Sequence, residues 1–183
     1  MFCMKFTPLK IILLSLLILL LTGCKKNYVI NEKQKILFQY EYVNYAWGYQ
    51  HSGFIIDNEG NVLTYENPEN WNFQDNSRIL SEMQVSENIS KCRRPGKKIP
   101  QEELQKYTSY IKNISSSKIT AMKNVAADAG SIEYLCYLYY ESSGTYKGCL
   151  IKMEGDFTCE NLNLYAKKVA EWMKEINNSL KQK

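Results

Sequence analysis

Two runs, Ile132 to Tyr140 and Thr145 to Met153, flank the tetrapeptide Glu141-Ser142-Ser143-Gly144 and constrain the fold more than any other stretch of the chain. Both are rich in Tyr, Leu and Ile, which suit a pleated, partly buried surface, and the tetrapeptide has turn chemistry. Stepping back from that turn sets Tyr140 against Thr145 and Cys136 against Cys149. A second such unit lies earlier. Ile36, Phe38, Tyr40 and Tyr42 alternate with Gln39 and Glu41, the period of a half-buried strand. Ser52 to Asp57 predicts another strand. Asn58-Glu59-Gly60 predicts a turn in which Gly60 takes a positive φ, and Asn61 to Glu66 returns.

Helical signals are separate from these. Pro100 opens a helix expected to end near Ser115, with Glu102 and Glu103 at its positive end and a stripe of Leu104, Tyr107, Ile111 and Ile114. Asp156 or Thr158 is expected to cap a final helix whose stripe is Leu162, Tyr165, Val169, Trp172, Met173 and Ile176. Residues 67–98, rich in Asn, Ser, Pro and Gly, predict a long irregular excursion, with a short strand or helical turn near Ile79 to Met83. The expectation is an α+β fold: an antiparallel sheet of two hairpin-like units with two amphipathic helices packed on it.

The first 24 residues carry a different message. Lys5 and Lys10 precede an uncharged run, Ile11 to Leu21, which has the length of a signal-peptide core and falls short of the roughly 20 residues that span a bilayer. Leu21-Thr22-Gly23-Cys24 follows and resembles the lipobox of bacterial lipoproteins. The resemblance implies cleavage after Gly23 and a diacylglycerol thioether on Cys24, and hence a lipid-anchored protein of the cell envelope, facing the periplasm or the exterior. Two or three acyl chains hold a protein at a membrane far longer than one. Residues 1–23 are then a signal peptide, 24–35 a tether and 36–183 a single domain. Removing the first 23 residues leaves 160 with a net charge of +2. That suits one domain with a real core, and bulk charge favours no nucleic-acid partner.

Four cysteines remain beyond Cys24: Cys92, Cys136, Cys149 and Cys159. An even number in an exported chain suits two disulfides. The expected pairing is Cys92–Cys136, which staples the long excursion to the sheet, with Cys149–Cys159; the competing Cys136–Cys149 follows from the hairpin register but leaves a strained cross-strand bond. No Cys-x-x-Cys pair exists, and with a single histidine, His51, a zinc or other metal site is not expected. No cofactor motif occurs: there is no Gly-x-x-x-x-Gly-Lys and no Gly-x-Gly-x-x-Gly.

A catalytic triad would have to use His51, and no Gly-x-Ser-x-Gly elbow accompanies it. Asp57-Asn58-Glu59-Gly60-Asn61 alternates oxygen ligands, but its glycine is misplaced for an EF-hand, the closing glutamate is missing, and a tight turn accounts for it. Tyr45, Trp47 and Tyr49 alternate, and Trp71 and Phe73 repeat the spacing. Such residues are either sheet-face core or a stacking surface for a sugar or protein partner. Lys91, Arg93, Arg94, Lys97 and Lys98 form a basic run that reads as a solvated loop or a contact for anionic glycans or headgroups. Tyr45-Ala46-Trp47-Gly48, Ser52-Gly53-Phe54-Ile55-Ile56-Asp57 and Cys159-Glu160-Asn161-Leu162-Asn163 resemble stretches of small bacterial lipoproteins of uncharacterised function, and this resemblance implies no activity. The expectation is a membrane-anchored, non-enzymatic binding module with a protein or glycan partner, its binding residues being Tyr45, Trp47, Tyr49 and Trp71. A carbohydrate-associated envelope protein using surface Tyr and Trp is the first alternative. A protective lipoprotein of the inhibitor or immunity type is the second.

Overall fold

The computed structural model describes residues 31–94 and 96–182. The signal peptide and Cys24 lie outside the described residues. The fold is mixed α+β, built on one antiparallel eight-stranded sheet. In chain order the strands are β1 (Ile36–Asn44), β2 (Gln50–Asp57), β3 (Val62–Glu66), β4 (Ile79–Ser81), β5 (Lys123–Asn124), β6 (Ser131–Tyr140), β7 (Thr145–Gly155) and β8 (Phe157–Glu160). The helices are α1 (Glu82–Ser90), α2 (Gln101–Thr108), α3 (Ile111–Ser115) and α4 (Ala166–Lys181). The strands lie in the order β3-β2-β1-β6-β7-β8-β5, with β4 paired to the start of β7.

Both faces of the sheet are covered. On one, Phe38, Tyr40, Phe54, Tyr134 and Ile151 meet Leu104 of α2, Ile111 and Ile114 of α3, and Val169, Trp172 and Met173 of α4. On the other, Ile55, Tyr65, Leu135, Tyr137 and Tyr146 meet Trp71, Leu80 and Val85. The stretch 67–98 is therefore not a mere excursion. It supplies β4, α1 and the roof of the second face. Helix α1 begins with a capping box, the Ser81 side chain accepting from the Gln84 N–H while the Gln84 side chain accepts from the Ser81 N–H. A second apolar layer explains why the strands bury nearly every side chain in their middles, where a one-sided sheet would alternate. Gln39, on the face opposite Phe38, is buried with the rest. A bulge between Ile36 and Phe38 also moves Ile36 to the second face, away from Phe38 and Tyr40.

Other expectations need correction. The final helix starts at Ala166, with neither Asp156 nor Thr158 as its cap. Residues 157–160 instead pair as β8, Met153 facing Cys159. The Asn161 and Asn163 side chains then turn the chain by accepting from the N–H groups of Asn163 and Tyr165. Leu162 consequently stands outside the helix and is 62% exposed. The helix expected from Pro100 to Ser115 is broken into α2 and α3 at Ser109–Tyr110, where the Tyr110 ring stacks on Tyr165 at 4.2 Å. Residues at the end of the stretch expected as a tether contact the sheet. Gln34 is buried and donates to the carbonyls of Ile36 and Tyr137, both at 2.9 Å, and Lys33 pairs with Glu141.

No disulfide joins the four cysteines among the described residues. Cys136 stands directly opposite Cys149, both in the helix-covered core. Cys159 is buried in the other core, and Cys92 packs against that core. Pairings of Cys92 with Cys136 and of Cys149 with Cys159 would each join thiols on opposite faces of the sheet. Burial pushes the Cys92 thiol up to about 12.

The sheet has two distinct ends. The chain enters β1 beside the β6–β7 turn, as the bonds of Lys33 and Gln34 show. β1 then runs until Val43 faces Ser131, so the β1–β2 connection, residues 45–49, emerges at the far end. The candidate site lies there.

Candidate functional site

The antiparallel register places Glu41 of β1 directly opposite Glu133 of β6, both on the second face. Two carboxylates facing each other across a strand pair repel, so each needs its own partners. Arg78 holds Glu133 through two bonds, Nη1 to Oε2 at 2.7 Å and Nη2 to Oε1 at 3.3 Å. Burial alone would lower the Arg78 pKa, but the bonds to Glu133 outweigh it and hold the guanidinium above its ordinary value. Glu41 is held by His51 and Gln39. Its Oε1 lies 2.9 Å from His51 Nε2 and accepts from Gln39 Nε2 at 3.1 Å.

His51 is fully buried. Aromatic rings surround it, with centroids at 4.9 Å for Phe73, 5.0 Å for Tyr65 and 5.3 Å for Trp71. Its Nδ1 has no hydrogen-bond partner among the described residues. A buried N–H without an acceptor is costly, so of the two tautomers the one with its proton on Nε2, donating to Glu41, fits this environment. Enclosed and bonded to a carboxylate, His51 orients Glu41. Neither a serine nor a cysteine side chain is bonded to it among the described residues.

A polar relay backs the two carboxylates. Gln74 Nε2 donates to the Tyr137 hydroxyl at 2.6 Å, Tyr137 donates to Gln39, and Gln39 Nε2 also donates to the Tyr65 hydroxyl at 3.1 Å. Tyr65 in turn donates to the Tyr40 carbonyl at 3.1 Å. Burial, and next the Glu41 charge, push both the Tyr65 and Tyr137 hydroxyls well above the ordinary tyrosine value. Both rings therefore serve as neutral donors. The relay depends on Gly53, because a Cβ there would lie 2.0 Å from the Tyr40 carbonyl oxygen and 2.6 Å from the Tyr65 hydroxyl.

Over this floor opens a cleft of about 370 Å³ lined by Glu41, Tyr45, Phe73, Gln74, Asp75 and Arg78 among others. Its size falls at the lower end for small-ligand sites, roughly 300–1,000 Å³. Asp75 carries a lowered pKa, chiefly through the Ser77 hydroxyl and next the Ile79 N–H. Tyr45 and Phe73 of its lining are exposed, as are Trp47 and Tyr49 on the same connection as Tyr45, Trp47 at 80%. No protein-family model, curated protein or solved structure matches the chain. What the site can do therefore rests on its own chemistry: carboxylates and an amide to accept and donate hydrogen bonds, one paired guanidinium, and flat apolar rings beside them.

Of the binding residues expected from sequence, Tyr45 lines the cleft, its ring lies 5.5 Å from that of Tyr49, and Trp47 is exposed on the connection between them. They are surface residues of a connection and do not form a strand face of the core. Trp71 is the exception. It is only 8% exposed and packs on Tyr65 at 4.3 Å, so it is core and not rim. The basic run lies elsewhere and is divided. Arg93 is bridged to Thr64 of β3, Lys97 bonds Ser179 of α4 and Lys91 bonds the Asn70 carbonyl. Sequence reasoning missed Glu41, Glu133, Gln74, Asp75 and Arg78. The available signal was polar Gln39 and Glu41 within a tyrosine-rich strand, which one-sided alternation assigned to solvent.

Proposed function

We propose that the protein is a lipid-anchored, non-enzymatic binding module of the cell envelope that holds its ligand at the carboxylate-and-aromatic cleft. The observation that carries this reading is the exposure of Tyr45 and Phe73 on the lining of a cleft at the end of the sheet remote from the entering chain, with Trp47 and Tyr49 exposed on the same connection as Tyr45. Large apolar side chains at the surface of a folded domain cost solubility, and clustering them beside fixed polar groups is how binding sites gain both area and orientation. The remote placement matters for an anchored protein, because it turns the rings away from the end at which the described chain enters. No helix among the described residues is long and apolar enough to cross a membrane. The anchor in this reading is the acylated Cys24.

A carbohydrate ligand is the second reading, favoured by the same rings. Tyr and Trp faces stack on sugar rings, while Glu41, Asp75 and Gln74 offer partners to hydroxyl groups. Two measurements test the function. Intact mass of the protein from its native host should show Cys24 as an acylated N-terminus, and an unmodified Cys24 would refute the anchor. A photo-crosslinking residue at position 47 should trap a defined ligand in living cells while the same residue at position 142, near the entering chain, traps none. Equal yields at both positions would refute the assignment of the cleft. Quenching of Trp47 fluorescence by soluble cell-wall fragments would favour the sugar.

A further inference from the structure

A second surface stands apart from the cleft. Residues 118–126 run antiparallel to 156–162 along the edge of the sheet, joined by Thr120 N–H to the Glu160 carbonyl at 2.9 Å, Val125 N–H to the Asp156 carbonyl at 2.9 Å and Leu162 N–H to the Lys118 carbonyl at 2.9 Å. This edge exposes Ile119, Met122, Val125, Phe157, Leu162 and Leu164, with Leu164 at 87%. Soluble domains seldom leave so many large apolar side chains together unless something covers them.

The charge beside them indicates what that is. Leu162 and Leu164 lead directly into α4, whose first turn has no acidic residue and no side-chain cap but carries Lys167 and Lys168. Cations at the positive end of a helix work against its dipole, so this arrangement costs stability unless an anion approaches. Lys118 and Lys123 extend the basic character along the strap and make no ion pair among the described residues. The acids nearby are already engaged. Asp156 accepts from the Ala129 N–H, Glu160 shares Lys152 with Glu154 at 3.3 and 2.8 Å, and Glu171 reaches Lys167 only across an exposed 3.9 Å pair. Lys168 lies over the Tyr165 ring at 5.8 Å. Apolar tips flanked by Lys167, Lys168, Lys118 and Lys123 match a layer that is anionic outside and hydrocarbon within.

We propose that this edge is a docking surface for an anionic lipid bilayer, with Leu162, Leu164, Ile119 and Met122 entering the interface and Lys118, Lys167 and Lys168 meeting phosphate groups. Docking along the edge leaves the cleft at the end of the sheet open, and it holds whether or not Cys24 carries lipid. The test uses the chain from residue 25 to 183, which retains every described residue and both cores but no acyl group. In flotation, vesicles of phosphatidylcholine containing phosphatidylglycerol should capture it at least about tenfold better than phosphatidylcholine alone, the advantage falling with added salt. The double variant Leu162→Ser/Leu164→Ser should lose that advantage, and so, independently, should Lys167→Gln/Lys168→Gln. Equal capture by both vesicles would overturn the proposal, as would undiminished capture of both double variants. Concentration-dependent self-association in sedimentation, abolished by the serine substitutions, would assign the edge to a second copy of the chain and overturn it equally.

Discussion

Arg78 occupies a backbone conformation that L residues avoid, with φ at 59°. The turn that imposes it is anchored by Asp75, whose carboxylate accepts from the N–H groups of Ser77 at 2.9 Å and Ile79 at 3.2 Å. Glycine would sit there without strain, so the arginine is present for its side chain, which reaches back to clamp Glu133 beside Glu41. Replacing it separates the two effects. Arg78→Ala loses the clamp and keeps the strain. Arg78→Gly loses the clamp and relieves the strain. Leaving Glu133 without its partner should cost both variants about 1–2 kcal/mol, since the carboxylate is largely buried. The glycine variant should then be the more stable of the two by about 1 kcal/mol. Urea midpoints at unchanged slope measure this, and an alanine variant equal to or more stable than the glycine one contradicts the account.

At the scale of elements, α4 is fixed to the sheet chiefly through Trp172. Its ring stacks on Tyr107 at 4.1 Å, meets Phe38 edge-on at 5.3 Å, and its Nε1 donates to Glu103 Oε1 at 2.6 Å. One residue thus ties α2, α4 and β1 together, and Trp172→Ala should cost roughly 3–5 kcal/mol, read as a lowered melting temperature in calorimetry. A loss below about 1 kcal/mol would mean that α4 is held elsewhere. The stripe Val169, Trp172, Met173, Ile176 was legible in the sequence because helical periodicity needs only local spacing. The turns at 58–60 and 141–144 were legible for the same reason. The stretch 67–98 was not. Trp71, Leu80 and Val85 follow neither period, because they are positioned by the second face of the sheet and not by their own element. The same gap hid the site. Glu41 and Glu133 are 92 residues apart in the chain and meet only through the β1–β6 register, and Arg78 reaches them from a turn whose strain no spacing rule announces. Aromatic residues 45–49 were visible as a group, but whether they faced core or solvent depended on where β1 ended.

Across the whole molecule, the two cores share β1, β6 and β7, so loss of either removes one wall of the other and a single cooperative transition is expected. Three carboxylates placed far apart can report on it. Asp75, beside the cleft, is held below the usual carboxylate range by the Ser77 hydroxyl and the Ile79 N–H. Glu141, at the other end of the sheet, is lowered by its hydrogen bonds from Lys33 and then Asn31. Burial would raise Glu154 on β7, but the bonds from Lys152 and Tyr134 outweigh it and its pKa is also lowered. In each case the folded protein binds its proton less readily than the unfolded chain does. Their contribution is therefore complete above the unfolded carboxylate value, about 4, and is lost as pH falls through the lowered folded values. The urea midpoint should be level above about pH 5 in this respect and decline below about pH 4. Asp75→Asn combined with Glu141→Gln should make that decline shallower. Because the two sites lie at opposite ends of one sheet, tryptophan fluorescence and far-ultraviolet circular dichroism should give the same midpoint at every pH. Two separated transitions in the acid range would show that the excursion-covered face unfolds independently of the helix-covered one, and would contradict the shared-strand argument.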